Sequence, residues 1–211
     1  MPITRFCLIR HGETDWNRER RLQGHLDIPL NAQGLRQARQ LASSLQAQGL
    51  HFTALHVSSL ERARQTAAAI SQHNGLPIQI HPALRERHYG IFQGKTFAEA
   101  MHSIPDAYQR HQDREPDFDL HGGESLRQFQ QRIMHCMQQL AAQHQGQQIL
   151  VVSHGGVLEM VYRTASGKAL SEPRDFPIPN AALNWISHDD GHWQIEKWAD
   201  QSHLDGSLDE L

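Results

Sequence analysis

Two cysteines, Cys7 and Cys136, are all that the 211 residues contain. They give no disulfide framework and no metal-ligand spacing. Cys7 falls in an apolar run and Cys136 in a helical pattern, so both read as buried, reduced thiols. No HExxH and no paired Cys/His motif occurs, so no metal and no cofactor is expected. Long apolar stretches are also missing. The N-terminal MPITRFCLIRHG lacks the apolar core of a signal peptide, and no segment reaches transmembrane length. A cytoplasmic location is therefore expected. Positive charge is not in excess: 20 Lys and Arg stand against 23 Asp and Glu, for a net charge of −3. That balance argues against nucleic acid and anionic membranes as partners. Hydrophobic residues make up 38% and charged residues 20%, enough for a full core in one soluble domain.

Histidine is what the chain has in plenty, with 16 residues. Most of them, including His51, His73, His144 and His203, read as surface or loop positions. One histidine beside an arginine therefore carries little weight by itself.

Strand and helix patterns alternate along the chain. Ile3–Ile9 reads as a first strand. Asn31 is placed to cap a helix carrying Leu35, Ala38, Leu41, Ala42 and Leu45, and Gly49 to end it. Ala54–Val57 is a second strand, followed by a helix with Leu60, Ala63, Ala67 and Ile70 on one face. Pro77–Ile80 is a third. Residues 93–122, with Pro105, Pro116 and the pair Gly122-Gly123, form an irregular excursion with one or two short helices. Ser125 and Gln128 fit a capping box for a long helix with Leu126, Phe129, Ile133, Met137 and Leu140 on one face. Ile149–Val152 is apolar at every position, as in a strand covered on both faces. The last segment, NWISHDDGHWQIEKW, is a β-hairpin around Asp189-Asp190-Gly191. The pattern predicts a three-layer α/β/α sandwich with a mostly parallel sheet and at least one antiparallel strand. It reads as one domain over residues 1–198, with a polar, acidic and mobile tail at 199–211.

Chemistry-bearing residues collect at the strand exits. Arg10 and His11 follow the first strand; Ser58, Ser59 and Arg62 the second; Glu86 the third; Ser153 and His154 the fourth. In an open α/β sheet the carboxyl ends of parallel strands share one edge, and ligands bind there. Four of these stretches, RHGETDWN, SSLERARQTA, LRERHYGIFQGK and VVSHGG, resemble in order the signature segments of the histidine phosphatase superfamily, which includes phosphoglycerate mutases and many phosphomonoesterases. The resemblance implies a phosphoglycerate mutase-like fold with six strands, one antiparallel, and a helical excursion (93–122) over the site.

The chemistry of a phosphate monoester explains the residue types. A neutral imidazole attacks a dianion without repulsion and can carry the phosphoryl group covalently, so His11 is the candidate nucleophile. Its other ring nitrogen is expected to donate to a backbone carbonyl. Arg10 and Arg62 have planar forks suited to phosphoryl oxygens. His154, at a strand-to-helix turn before Gly155 and Gly156, is by resemblance a second phosphate contact, protonated when substrate is bound. The two glycines allow close backbone approach. Glu86 fits as general acid for the leaving oxygen and base for the water that follows. By resemblance Asn17 and the Gln23-Gly24 pair touch the phosphate, Gln23 as a side-chain donor and Gly24 through its N–H. Glu13 reads as a dipole partner in a first helical turn. Ser58 either orients His11 or caps the next helix. Lys95 and Tyr89 are open between substrate contact and surface.

The expected partner is a small phosphate ester; the sequence sets no oligomeric state. Hydrolysis is favoured over mutase activity: the resemblance implies a longer excursion with adjacent arginines in the mutase branch, whereas residues 93–122 are short and carry Asp113, Glu115, Asp117 and Asp119, which would repel a second phosphate. The alternatives are a cofactor-dependent phosphoglycerate mutase and a non-catalytic module that binds phosphorylated ligands.

Overall fold

A computed structural model describes residues 2–206. The end of the expected tail, 207–211, lies outside the described residues. Strand β1 (Thr4–Arg10) is followed by a short α1 (Asp15–Arg18), α2 (Ala32–Ala47), β2 (Ala54–Ser58), α3 (Glu61–Asn74) and β3 (Ile78–His81). The excursion carries α4 (Phe97–Ser103) and α5 (Pro105–Gln112). Then come α6 (Leu126–Gln143), β4 (Gln148–Ser153), α7 (Gly155–Ser166), β5 (Leu183–Asp189) and β6 (His192–Asp200). The six strands lie in the order β3-β2-β4-β1-β5-β6. β1, β2, β3 and β4 are parallel, and β5 is antiparallel to both β1 and β6. It is the single reversed strand. The β5–β6 turn is closed by Asp190 and Gly191, both at positive φ, the arrangement a two-residue hairpin needs.

Period-two alternation divides the core. Phe6, Leu8, Ile149 and Val151 face α6 and α7. Cys7, Ile9, Leu150 and Val152 face α2 and α3. Both faces of β1 and β4 are covered, which is why these strands are apolar throughout. Capping decides where helices start: Asn31 Oδ1 accepts from the Gly34 N–H, and Ser125 and Gln128 form the reciprocal box at α6. A third small cluster, Phe92, Ala100, Ala107, Phe118 and Leu120, anchors the excursion.

The structure corrects three expectations. Leu35 is 39% exposed; the buried face of α2 is Gly34, Gln37, Ala38, Leu41, Ala42 and Leu45. His144 is buried, not superficial. It ends a row in which His56 Nδ1 lies 2.8 Å from His81 Nε2, and His56 Nε2 lies 2.9 Å from His144 Nε2. Burial, then the neighbouring imidazoles, lowers the His56 pKa to about 4, so His56 stays neutral. Finally, the first half of the tail is attached. Ala199 and Asp200 finish β6, Leu204 packs on the core, and Asp205 accepts from Gln40 Nε2 at 2.7 Å. No helix among the described residues is long and apolar enough to cross a membrane.

Candidate active site

β1 leaves the sheet at Arg10, and four hydrogen bonds pin Arg10, His11 and Gly12. His11 N donates to Ser153 O at 2.9 Å, the β4 neighbour of Arg10. Ala181 N donates to Arg10 O, and Asn180 Nδ2 to His11 O, both at 2.9 Å. Gly12 N donates to Thr66 Oγ1 at 3.0 Å. The start of α2 packs backbone to backbone on this loop: a Cβ at Gly12 would lie 2.6 Å from Gly34 O, and one at Gly34 would lie 2.1 Å from Glu13 O. No side chain fits at either position. His11 Nδ1 is 2.7 Å from Gly12 O. A carbonyl only accepts, so Nδ1 carries the proton and Nε2 keeps its lone pair. Burial, then Arg62 and Arg10, hold the imidazole pKa well below its ordinary value. The ring is neutral at physiological pH.

Arg62 is buried at 1% exposure. Its Nη1 donates to Leu26 O at 2.9 Å and its Nη2 to Gly24 O at 2.8 Å, while Nε is buried with no hydrogen-bond partner among the described residues. Burial is the main cause that lowers its pKa to about 10, which leaves it charged. No carboxylate lies within ion-pair distance of Arg62 among the described residues. Arg10 Nη1 donates to Ile178 O at 2.7 Å. Arg62 is thus a buried cation with no counter-ion among the described residues, a costly state that an anionic ligand relieves.

His154 is the N-cap of α7, and its ring centroid lies 5.2 Å from that of His11. Its Nε2 is 2.7 Å from Ser58 Oγ, and its Nδ1 is buried with no partner among the described residues. Burial, then Arg62, lowers its pKa far below 6.5, so it is neutral in the unliganded protein. Ser58 thus orients His154 rather than His11.

Glu86 sits on the loop after β3. Its Oε1 accepts from Arg87 N at 2.8 Å and its Oε2 from Gly156 N at 3.1 Å. Burial raises its pKa, outweighing these two bonds and the nearby arginines. The glycine that matters for close approach is Gly156. A Cβ there would lie 2.3 Å from Glu86 Oε1, whereas one at Gly155 meets Arg10 Nε at an ordinary 3.5 Å. Gly156→Ala is therefore expected to displace the carboxyl and to lower kcat/KM on an alkyl phosphate by about 10²-fold. Steady-state kinetics at unchanged thermal stability checks this; a loss under about 3-fold would show that the carboxyl position is not critical.

The second rank of expected residues is only partly as anticipated. Asn17 Oδ1 accepts from Thr14 N and from Thr14 Oγ1, both at 3.0 Å, which fixes the amide and leaves its NH2 group to donate elsewhere. Gln23 is buried, and its Oε1 has no partner among the described residues. Gly24, at φ +53, serves Arg62 through its carbonyl. Glu13 precedes α1 and lies outside any helical turn; its Oε1 accepts from Asn31 Nδ2 at 2.8 Å.

Of these groups Arg10, Glu86, Gly155 and Gly156 line a cavity of ≈ 570 Å³, walled in part by the excursion. Arg10, Arg20, Arg21, Arg87, Arg114 and Arg174 line it against Glu86 and Glu159. Tyr89 also lines it, and Lys95 does not. The acidic residues expected to repel a second phosphate are elsewhere. Asp113, Asp117 and Asp119 are exposed, and Glu115 pairs with Arg110 and Asp117 with Arg127, each at 2.7 Å. The cavity is cationic.

Sequence reasoning missed Thr66 and Asn180. Thr66 lies one helical turn after Arg62 on the same buried face, a spacing that periodicity could have flagged. Asn180 lies in an irregular stretch with no pattern to mark it.

A cluster of buried arginines, two close imidazoles and one carboxyl at a shared strand edge is a site for an anion. Residues 6–201 match the family model described as histidine phosphatase superfamily (branch 1). The chain belongs to the histidine phosphatase superfamily. It is an enzyme of that superfamily. Phosphoglycerate mutase-like protein 4 of Arabidopsis thaliana is 38% identical over 201 residues, 94% of this chain and 86% of the relative. The metal-independent phosphoserine phosphatase of the same plant is 36% identical over 209 residues, 96% of this chain and 84% of the relative. Among solved structures, YhfR of Bacillus stearothermophilus superposes with a TM-score of 0.87 at 32% identity, covering 95% of this chain and 98% of that one.

Proposed function

We propose that this histidine phosphatase hydrolyses small phosphate monoesters through a phosphohistidine on His11. Nε2 attacks phosphorus, and the bond from phosphorus to the ester oxygen breaks. Arg10, Arg62 and His154 face the charge that spreads over the equatorial oxygens. Asn17, Gln23 and the turn at Gly155 are the second rank of phosphate contacts. Glu86, protonated, gives its proton to the leaving oxygen. Its carboxylate then takes a proton from the water that attacks phosphohistidine, releasing inorganic phosphate and free His11. The observation that carries this reading is the His11 Nδ1 to Gly12 O bond of 2.7 Å, which leaves a neutral ring with its lone pair on Nε2. A phospho-binding module needs neither that tautomer nor a buried acid.

Glu86→Gln tests the acid. Esters with alkyl leaving groups need the proton, and p-nitrophenyl phosphate, whose leaving group is stable as an anion, does not. The kcat/KM for alkyl esters is expected to fall by about 10²–10⁴-fold, with that for the aryl ester little affected. Because Glu86 must be protonated and its pKa is raised above 4.5 by burial, wild-type kcat/KM on alkyl esters should decline as pH rises through that pKa. The glutamine variant should lack this limb. Equal losses on both ester types would remove Glu86 from the acid role.

One observation favours a second reading. The cationic cavity accommodates a second phosphate or carboxylate, as a phosphoglycerate mutase requires. Transfer between positions of phosphoglycerate, assayed beside phosphate release, decides between mutase and phosphatase.

A further inference from the structure

The loop that carries Glu86 has no strand ladder to hold it; it runs between two single-turn 3-10 helices, Pro82–Leu84 and Gly90–Phe92. A general acid has to sit within hydrogen-bond reach of the leaving oxygen, so this loop needs another support. Arg132, two turns into α6, supplies one. Its Nη1 donates to Ala83 O at 2.6 Å and to Arg85 O at 3.0 Å, and its Nη2 to Glu86 O at 3.2 Å. The same guanidinium is held in a fork by Glu124, with Nε to Oε1 and Nη2 to Oε2 both at 2.7 Å. Glu124 grips the loop from the far side: His88 N donates to its Oε2 at 2.9 Å, and its own N–H donates to His88 O at 2.8 Å. His25 Nε2, 2.8 Å away, is a further donor to Glu86 O. The backbone is therefore fixed at residues 83, 85, 86 and 88.

We infer that the Arg132–Glu124 pair is a positioning clamp for the acid, acting on catalysis only through Glu86. The inference rests on the acid role proposed for Glu86. Neither clamp residue lines the ≈ 570 Å³ cavity; both line a smaller hollow behind the loop with His25 and His88. They do not reach the substrate. A planar fork is required, because one group must satisfy three carbonyls and a carboxylate at once.

The experiment compares kcat/KM for glycerol 2-phosphate and p-nitrophenyl phosphate in wild type, Arg132→Met, Glu86→Gln and the double variant. This parameter reports steps only through the first irreversible transfer, so hydrolysis of the phosphoenzyme drops out. Arg132→Met should lose about 10–100-fold on the alkyl ester and less than about 3-fold on the aryl ester. In the Glu86→Gln background it should cost less than about 3-fold on either. Equal losses on the two esters, or an undiminished loss in the Glu86→Gln background, overturns the clamp. Should Arg132→Met not fold, Glu124→Gln is held to the same criteria. A selective loss in Glu86→Gln without one in the clamp variants rejects the clamp alone. No selective loss in Glu86→Gln rejects the acid assignment beneath it.

Discussion

His11→Ala is expected to lower phosphate release by about 10⁵-fold or more and to abolish any acid-labile phosphoenzyme under rapid quench. The size follows from what the residue does. Without Nε2 there is no covalent path, and the remaining groups only bind the ester. Water cannot take the nucleophile's place efficiently, because the ring is held by Gly12 O and its backbone by Ser153 and Asn180, bonds that a solvent molecule does not inherit. Substrate binding should survive, since Arg10 and Arg62 anchor to carbonyls of Ile178, Gly24 and Leu26 rather than to His11. Equilibrium binding of phosphate, measured by calorimetry, separates the two effects. Hydrolysis retained in the alanine variant would overturn the nucleophile.

The second large effect is expected at Arg62. Arg62→Lys should reduce kcat by ~10³-fold, although charge is formally kept. The fork holds two carbonyls and keeps a further N–H at Nε; an ammonium cannot do both. Burial already lowers the arginine pKa from 12.5 to about 10. A lysine begins lower and is desolvated in the same place, so part of the population loses its proton at working pH. The loss should be steepest above neutrality, visible as a new alkaline limb in kcat. A lysine variant within about 10-fold of wild type, with a wild-type pH profile, would show that charge alone suffices.

Much of the site was legible at the strand ends. Arg10, His11, Ser58, Ser153 and His154 are placed by one rule, that parallel strands end on a common edge. The register Arg10 to Ser153 shows it directly. Caps were equally readable, because Asn31 and the Ser125/Gln128 box act within one turn. The acidic stretch at 113–119 was misread for a physical reason. Its composition is negative, but ion pairs with Arg110 and Arg127 hold two of its charges on the outer surface, and composition carries no direction. The burial of His144 was hidden similarly, since its partner His56 is 88 residues away.

By itself the sequence determined the alternation of strands and helices, their core faces and the edge where reactive side chains gather. Apolar periodicity and capping are local forces, written within a few residues of where they act. Only the tertiary structure decided that Ser58 meets His154, that Gly156 rather than Gly155 yields to Glu86, and that Asn180 holds the His11 carbonyl. Those pairings join positions 70 to 169 residues apart. Packing of whole layers sets them, and no local pattern encodes which side chains then come within 3 Å or so of each other.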